Sequence, residues 1–237
     1  MRHLHLHMDD HASGLALGAS ERRLLLGGAA AVRLDAAGRI CFGPLEVPHA
    51  DAPTLADATR VLGRLPPLDE AATAALHLGF ERVLGEPQGL GALAAAALVL
   101  DRAHALLAQA IHDVVEEAHA GEVVLVAEGQ APLHATAVAR LAGIHRVVMP
   151  AHPAPDTAEE ALEAAATGRR PVWMDRRLRD AALYDHARLP RDAILRGPAV
   201  VEDSGAALVI EPGERAVTDA HARLVVDVRP LRRPSGG

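Results

Sequence analysis

The chain has 237 residues, half of them hydrophobic, with two Phe, one Trp and one Tyr, and a formal charge of −7. That length suits one large domain or two small ones around a core of Ala, Leu and Val, and the acidic balance lacks the basic face of a nucleic-acid binder. All 24 basic residues are arginine and Cys41 is the single cysteine, which excludes a Schiff-base lysine, a phosphate-loop lysine, a lysine carbamate between two metals and an intramolecular disulfide.

The opening stretch RHLHLHMDDH (2–11) alternates strictly, with His3, His5 and His7 on one parity and Leu4, Leu6 and Met8 on the other. A strand there lines three imidazoles along one side. Two readings stay open. In one, His5, His7, Asp9, Asp10 and His11, joined by His49 or His134, hold a divalent metal. In the other, the histidines face solvent at a strand edge and Asp9 and Asp10 form a turn, since the spacing fits no defined ligand motif. A barrel amidohydrolase, to which His-x-His also points, needs a longer chain and in many cases the missing lysine.

Further along, 3–8 and 14–18 read as strands joined by the turn DDHAS, and 22–43 as a hairpin. EVPHADAP (46–53) is a loop. Thr54 caps a short helix to about Gly63, with Asp57 placed three residues on as in a capping box. Pro66 and Pro67 open a helix over roughly 68–84. Leu90, Leu93, Ala97, Leu100, His104, Leu107, Ile111 and Val114 recur at helical steps and predict a long helix over 90–119, with His104 and His112 on its flank rather than acting as ligands. Asp101 and Arg102 interrupt its apolar run, and histidines break up the N-terminus where a signal peptide needs an apolar core. A soluble cytoplasmic protein is therefore expected. Strand 122–128, helix 132–143 and strand 145–150 make a parallel β-α-β unit. A linker with a short Ala/Glu helix (151–170), a small antiparallel β module (171–228) and a disordered tail (229–237) complete the chain.

LYDHARLPRDAILRGPAVVEDSGAALVIEPGERAVTDAHARLVVDV, in which Tyr184, Asp185, Leu189, Gly197, Pro198, Ala199, Val201, Glu202, Pro212 and Gly213 fall in register, resembles the C-terminal end of the hydantoinase A/oxoprolinase family. LVAEGQAPLHATAVARLAGIHRVVMPAHP is similar to that family's Leu-Val-Ala-Phe-Gly-Gly-Ala-Gly-Pro-Leu-His-Ala strand, loop and helix. PTLADATRVLGRLPP and LLLGGAAAVRLDAAGRICFGP match further segments, so ordered matches run from about residue 22 to 228. The resemblance implies an α/β fold: part of an actin-like (ribonuclease H-like) ATPase lobe, here the second lobe at 1–150, followed by the β module. It also implies ATP-coupled opening of cyclic amides such as hydantoins and 5-oxoproline, or ketone carboxylation. Phosphorylation of a carbonyl or enolate oxygen and a B-type partner subunit go with it.

The departures from the family fall on its nucleotide loops. Members carry a first actin-like lobe ahead of the point where this sequence starts. Asp9 and Asp10 stand where the family's phosphate loop has two glycines, whose role is to bring backbone N–H groups onto phosphate oxygens. GGAAA (27–31) keeps Gly27 and Gly28 of a triple-glycine loop. EGQAPLH (128–134) is a residue short and keeps only Gly129 of a pair, and the family's Gly-Ala-Asp-Pro-Gly-Pro loop is reduced to EVPHADA. His134 matches the family's Pro-Leu-His and is read as a helix-start residue bonding a loop carbonyl. Helix capping accounts for Asp57.

The expected function is that of a truncated, non-catalytic or accessory subunit of a hydantoinase- or carboxylase-type complex, with degraded ATP-binding loops around Gly27, Gly28, Gly129 and His134. The alternative is an ATP- or metal-dependent hydrolase of cyclic-amide C–N bonds. ATP is not expected as a cofactor, and a divalent metal is left open. The expected partners are a B-type or first-lobe subunit, or a second copy of the chain, with no nucleic acid and no membrane.

Overall fold

A computed structural model describes residues 1–43, 52–151, 162–203 and 206–229. In chain order the elements are β1 (Arg2–Met8), β2 (Ser13–Leu17), β3 (Ser20–Leu24), β4 (Ala31–Leu34), β5 (Ile40–Gly43), α1 (Leu55–Val61), α2 (Glu70–Phe80), a π turn, α3 (Glu86–Gln88) and α4 (Ala92–Glu117). They continue as β6 (Val123–Gly129), α5 (Pro132–Ala142), β7 (Arg146–Met149), α6 (Leu162–Ala165), β8 (Ala166–Met174), β9 (Arg177–Asp185), β10 (Ile194–Arg196), β11 (Ala199–Asp203), β12 (Ala206–Ile210), β13 (Arg215–Thr218) and β14 (Leu224–Asp227). The fold is mixed α/β, as expected.

The His/Leu alternation of β1 forms as read, with Leu4, Leu6 and Met8 fully buried and the histidines exposed. Burying each such apolar side chain stabilises by about 1.5–3 kcal/mol. The strand is not an edge, however. It pairs in parallel with β6 and antiparallel with β2 inside an eight-stranded sheet ordered β10-β13-β14-β7-β6-β1-β2-β3. The imidazoles therefore stand on the open face of an interior strand. β6, with Val124 to Ala127 all buried, is covered on both sides, which suits its apolar run.

Helix α5 crosses over from β6 to the parallel β7, beginning with Pro132 in its first turn and ending on left-handed Gly143. It also packs on β12, where the Thr136 hydroxyl donates to the Val209 carbonyl at 3.1 Å. α4 lies beside α1, α5 and β2. By length and composition it is apolar enough to cross a membrane. Here the stripe made by Ala96, Val99, Ala103, Leu107 and Val114 is fully buried within the protein.

Two expectations change in detail. Residues 22–43 do not form one hairpin: β3 returns along β2, and the hairpin is β4–β5, turned by Asp35, whose carboxylate accepts from the amides of Ala37 and Arg39. The strands expected as a small antiparallel module are shared between two sheets. β14 joins antiparallel to β7, carrying β13 and β10 with it: this pairs the outer backbone edge of β7, the last strand of the α/β unit, and buries Leu224 and Val226 of β14 in the core. The remaining strands form a four-stranded sheet β12-β11-β9-β8, in which β9 and β11 run parallel. Half of the expected linker (152–161), the EVPHADA loop with His49 except Ala52, and all of the expected tail but Arg229 lie outside the described residues.

Candidate functional site

Six segments meet at one cavity of about 790 Å³: the turn after β1, the loop before β4, α1 with its cap, residues 65–68 beyond it, the β6–α5 junction, and the end of β11 with the start of β12. Each is held by its own local chemistry. The Asp9 carboxylate accepts from the amides of His11 and Ala12 at 2.7 and 2.8 Å, and those bonds hold it below the usual carboxylate range. The next residue, Asp10, points the other way and accepts from the Gln130 side chain at 2.7 Å. Beneath them Gly27 lies so close that a Cβ would stand 2.6 Å from the backbone of Asp10 and Ala12. Thr54 and Asp57 form the expected capping box, each accepting from the other's amide. Gly129 takes a left-handed φ of 63°, which turns the chain out of β6 into the loop carrying Gln130.

The backbone amides around this junction are already engaged. Gly28 N–H donates to the Asp9 carbonyl at 3.0 Å and Ala29 N–H to the Asp10 carbonyl at 2.8 Å. Ala30 N–H donates to Gly27, Gln130 N–H to Met8, and Ala131 N–H to Glu128. Among titratable groups the cavity lining holds Asp10, Asp57, Glu202 and Asp203 against Arg60, with His134 in its wall.

His134 sits in the first turn of α5, 2% exposed, and its Nδ1 lies 3.1 Å from Nε2 of His104 on α4. The rings meet edge to face, with centroids 5.3 Å apart. Burial, and then the nearby Arg64 guanidinium, lower His134 to about 3. Burial, then His134 and Arg64, hold His104 well below the usual imidazole value. Both rings are thus neutral at physiological pH, and their shared bond uses one proton. The expected side-chain bond from His134 to a loop carbonyl is replaced by this pair. His104 is accordingly not a flank residue: the apolar periodicity that included it is the core stripe of α4. His112 is only partly buried.

Behind the pair lies a buried charge cluster. Arg64 donates to the Leu133 carbonyl and to Glu211, both at 3.4 Å, while Arg140 and Glu214 pair at 2.5 Å. Burial lowers the pKa of Arg64 and raises that of Glu211, the opposing charges only partly offsetting it.

The sequence candidates divide between separate places. Asp10, Gly28 and His134 line the cavity, Gly27 lies under its rim, and Gly129 is one residue before the lining residue Gln130. His5, His7 and Asp9 instead face a shallow depression on the sheet's open face, with Glu21 and Arg22, and His11 is exposed. His5 is 3.8 Å from Glu128. Among the described residues no three His, Cys, Asp or Glu side chains gather where they could hold a metal ion. Two causes separate the metal set: the pleat sends the histidines to one face, and Asp9 and Asp10 turn in opposite directions. Sequence reasoning missed Gln130, Arg60, Glu202 and Asp203 as lining residues. All four stood inside the segments that carried the resemblance, and that placement was the available signal.

A model of hydantoinase/oxoprolinase sequences matches residues 13–162, and a model of the hydantoinase/oxoprolinase C-terminal domain matches 134–227. No curated protein matches the chain in sequence. Among solved structures, a nucleotide-free acetone carboxylase, from work on ATP-dependent acetone carboxylation, superposes with a TM-score of 0.82 at 14% identity. That match covers 95% of this chain and 58% of the other. An ATP-dependent caprolactamase from Pseudomonas jessenii superposes with a TM-score of 0.81 at 13% identity, covering 96% of this chain and 59% of the other. The chain thus spans less than two thirds of each structural relative.

Proposed function

The chain belongs to the hydantoinase/oxoprolinase family, and from that premise we propose that it works as an accessory lobe in a hydantoinase- or carboxylase-type assembly, not as an ATP-hydrolysing subunit. One observation carries the reading: the loops where relatives place phosphate-gripping glycines have their amides bonded within the chain and a carboxylate, Asp10, at their meeting point. A phosphate site needs free N–H groups converging on one spot. Here Gly28, Ala29, Gln130 and Ala131 each already donate to a carbonyl.

Electrostatics points the same way. A carboxylate about 5 Å from a phosphate charge repels it by about 3 kcal/mol at an effective dielectric near 20, roughly a hundredfold in affinity. Asp10, Asp57, Glu202 and Asp203 all line the cavity, and only Arg60 among the lining residues answers them. The chain's contribution would then be its packed α/β lobe and the surfaces it offers to a B-type subunit or to a chain bearing the other lobe.

Unfolding in denaturant with and without MgATP tests this. Ligand present at about 100 times its Kd stabilises a protein by about 2.7 kcal/mol. An unchanged midpoint at millimolar MgATP is the expected result. An increase of that size would overturn the proposal.

A further inference from the structure

Side-chain parity leaves one face of the eight-stranded sheet open. α4 packs against β2 and β3, and α5 against β6 and β7, over the face that buries Leu4, Leu6, Leu15, Ala127 and Val147. On the opposite face the strand pairings line up one unbroken cross-strand row. Ile194 of β10 pairs with Val217 of β13, Val217 with Val225 of β14, and Val225 with Val148 of β7. The row continues from Val148 to Val126 of β6, then to His5 of β1 and Ala16 of β2. Ile194 is 47% exposed, while Val217, Val225 and Val148 are half-buried. Val126, between His5 and Val148 in the row, is nearly buried. Five β-branched apolar side chains in register are the kind of surface that two sheets packed face to face bury between them.

The charges beside this row are sorted by position. Two residues from the row on one side stand Arg196, Arg215 and Asp227, paired across β10, β13 and β14. At the same offset on the other side, the turns that end these strands carry Asp192, Asp219 and Arg223. A two-fold axis lying along the row turns a second copy over, so that each strand faces its own counterpart reversed. Every row residue then meets itself, valine on valine. Arg196 comes over Asp192, Arg215 over Asp219 and Asp227 over Arg223, and all three are pairs of opposite charge. A two-fold axis along the strands instead sets Ile194 over Glu21, the β3 partner of Ala16, and loses both matches.

We propose that this open sheet face binds a second copy of the chain, in an aligned sheet-on-sheet dimer whose two-fold axis runs along the Ile194–Ala16 row. Seven strand spacings and the strand lengths give a footprint of roughly 35 by 15 Å, about 500 Å² on each copy. That reaches the total of about 1,000 Å² expected of the smaller specific interfaces. The dimer does not depend on what the cleft at Asp10 binds, so it stands apart from the accessory reading.

Sedimentation velocity on the full chain without nucleotide, from about 1 to 100 µM, tests it. The expected result is a monomer–dimer equilibrium. Val217→Glu should abolish the dimer by setting carboxylate on carboxylate, and Arg215→Glu should weaken it by roughly tenfold or more. Leu178→Glu, at an exposed position on the other sheet, should leave it unchanged. Urea midpoints check that each variant folds, and Arg215→Glu carries the test if Val217→Glu does not. Facing sheets stand about 10 Å apart, too far for a disulfide, so a short bis-maleimide reads the axis in a Cys41→Ser background. Asp227→Cys mixed with Arg223→Cys should cross-link, and neither variant should do so alone. A chain that stays monomeric throughout overturns the proposal and leaves the face to a different protein. A dimer untouched by both Val217→Glu and Arg215→Glu, or cross-linking only between like variants, overturns it as well.

Discussion

Nε2 of His104 lies 3.1 Å from Nδ1 of His134, joining the core stripe of α4 to the first turn of α5 across 30 residues of sequence. Both rings are sealed from bulk water, and both resist protonation because burial and Arg64 oppose a second positive charge.

The first prediction concerns pH. A histidine whose folded pKa is depressed binds fewer protons in the native state, so stability is full above the unfolded value near 6.5 and falls as pH drops towards about 3. One such group contributes a slope of about 1.4 kcal/mol per pH unit inside that window. Glu211, raised by burial, adds a slope of opposite sign above its unfolded value. Urea midpoints measured between pH 5 and 6.5 should fall with acid, and His134→Gln should flatten that fall by roughly one proton's worth. Parallel slopes for the two proteins would show that His134 titrates normally.

Arg64 gives the second. Its guanidinium is almost completely buried beside Glu211. Arg64→Met leaves that carboxylate without its partner and should destabilise by about 3–5 kcal/mol. Arg64→Met/Glu211→Gln should recover a large part of the loss in the same denaturation assay. A single variant within about 1 kcal/mol of wild type would mean the charge is not needed there.

The α1 cap provides a smaller, cleaner effect. Thr54→Ala and Asp57→Ala each remove one half of a reciprocal pair and should each cost about 1 kcal/mol. The double variant should cost less than the sum, since either change already breaks the shared arrangement. Additive losses would contradict the reciprocal bonds.

These cases mark what could be read from the chain alone. The β1 alternation, the Thr54–Asp57 box and the β6–α5–β7 unit are local signals of period and spacing, and they appear as expected. The pairing of His104 with His134 is not local: periodicity put His104 on the apolar stripe of α4 but could not say which side chain would meet it. The same holds for β14, whose pattern marked a strand while its attachment to β7 depended on which sheet edge lay open. At the cavity, the altered loops at 9–10, 27–28 and 128–134 were legible as departures from a family pattern. Their convergence with Glu202 and Asp203 from the end of β11 required the tertiary fold. Among the described residues the candidate metal donors do not gather at one point, since the adjacent aspartates turn in opposite directions.

The central claim, that this lobe has no ATP site of its own, is tested most directly by titrating MgATP into the purified chain in a calorimeter. The account predicts no saturable heat at concentrations where a micromolar site, about −8 kcal/mol, would be filled. A one-to-one isotherm in the micromolar range would contradict it, most sharply if Asp10→Gly tightened the binding further.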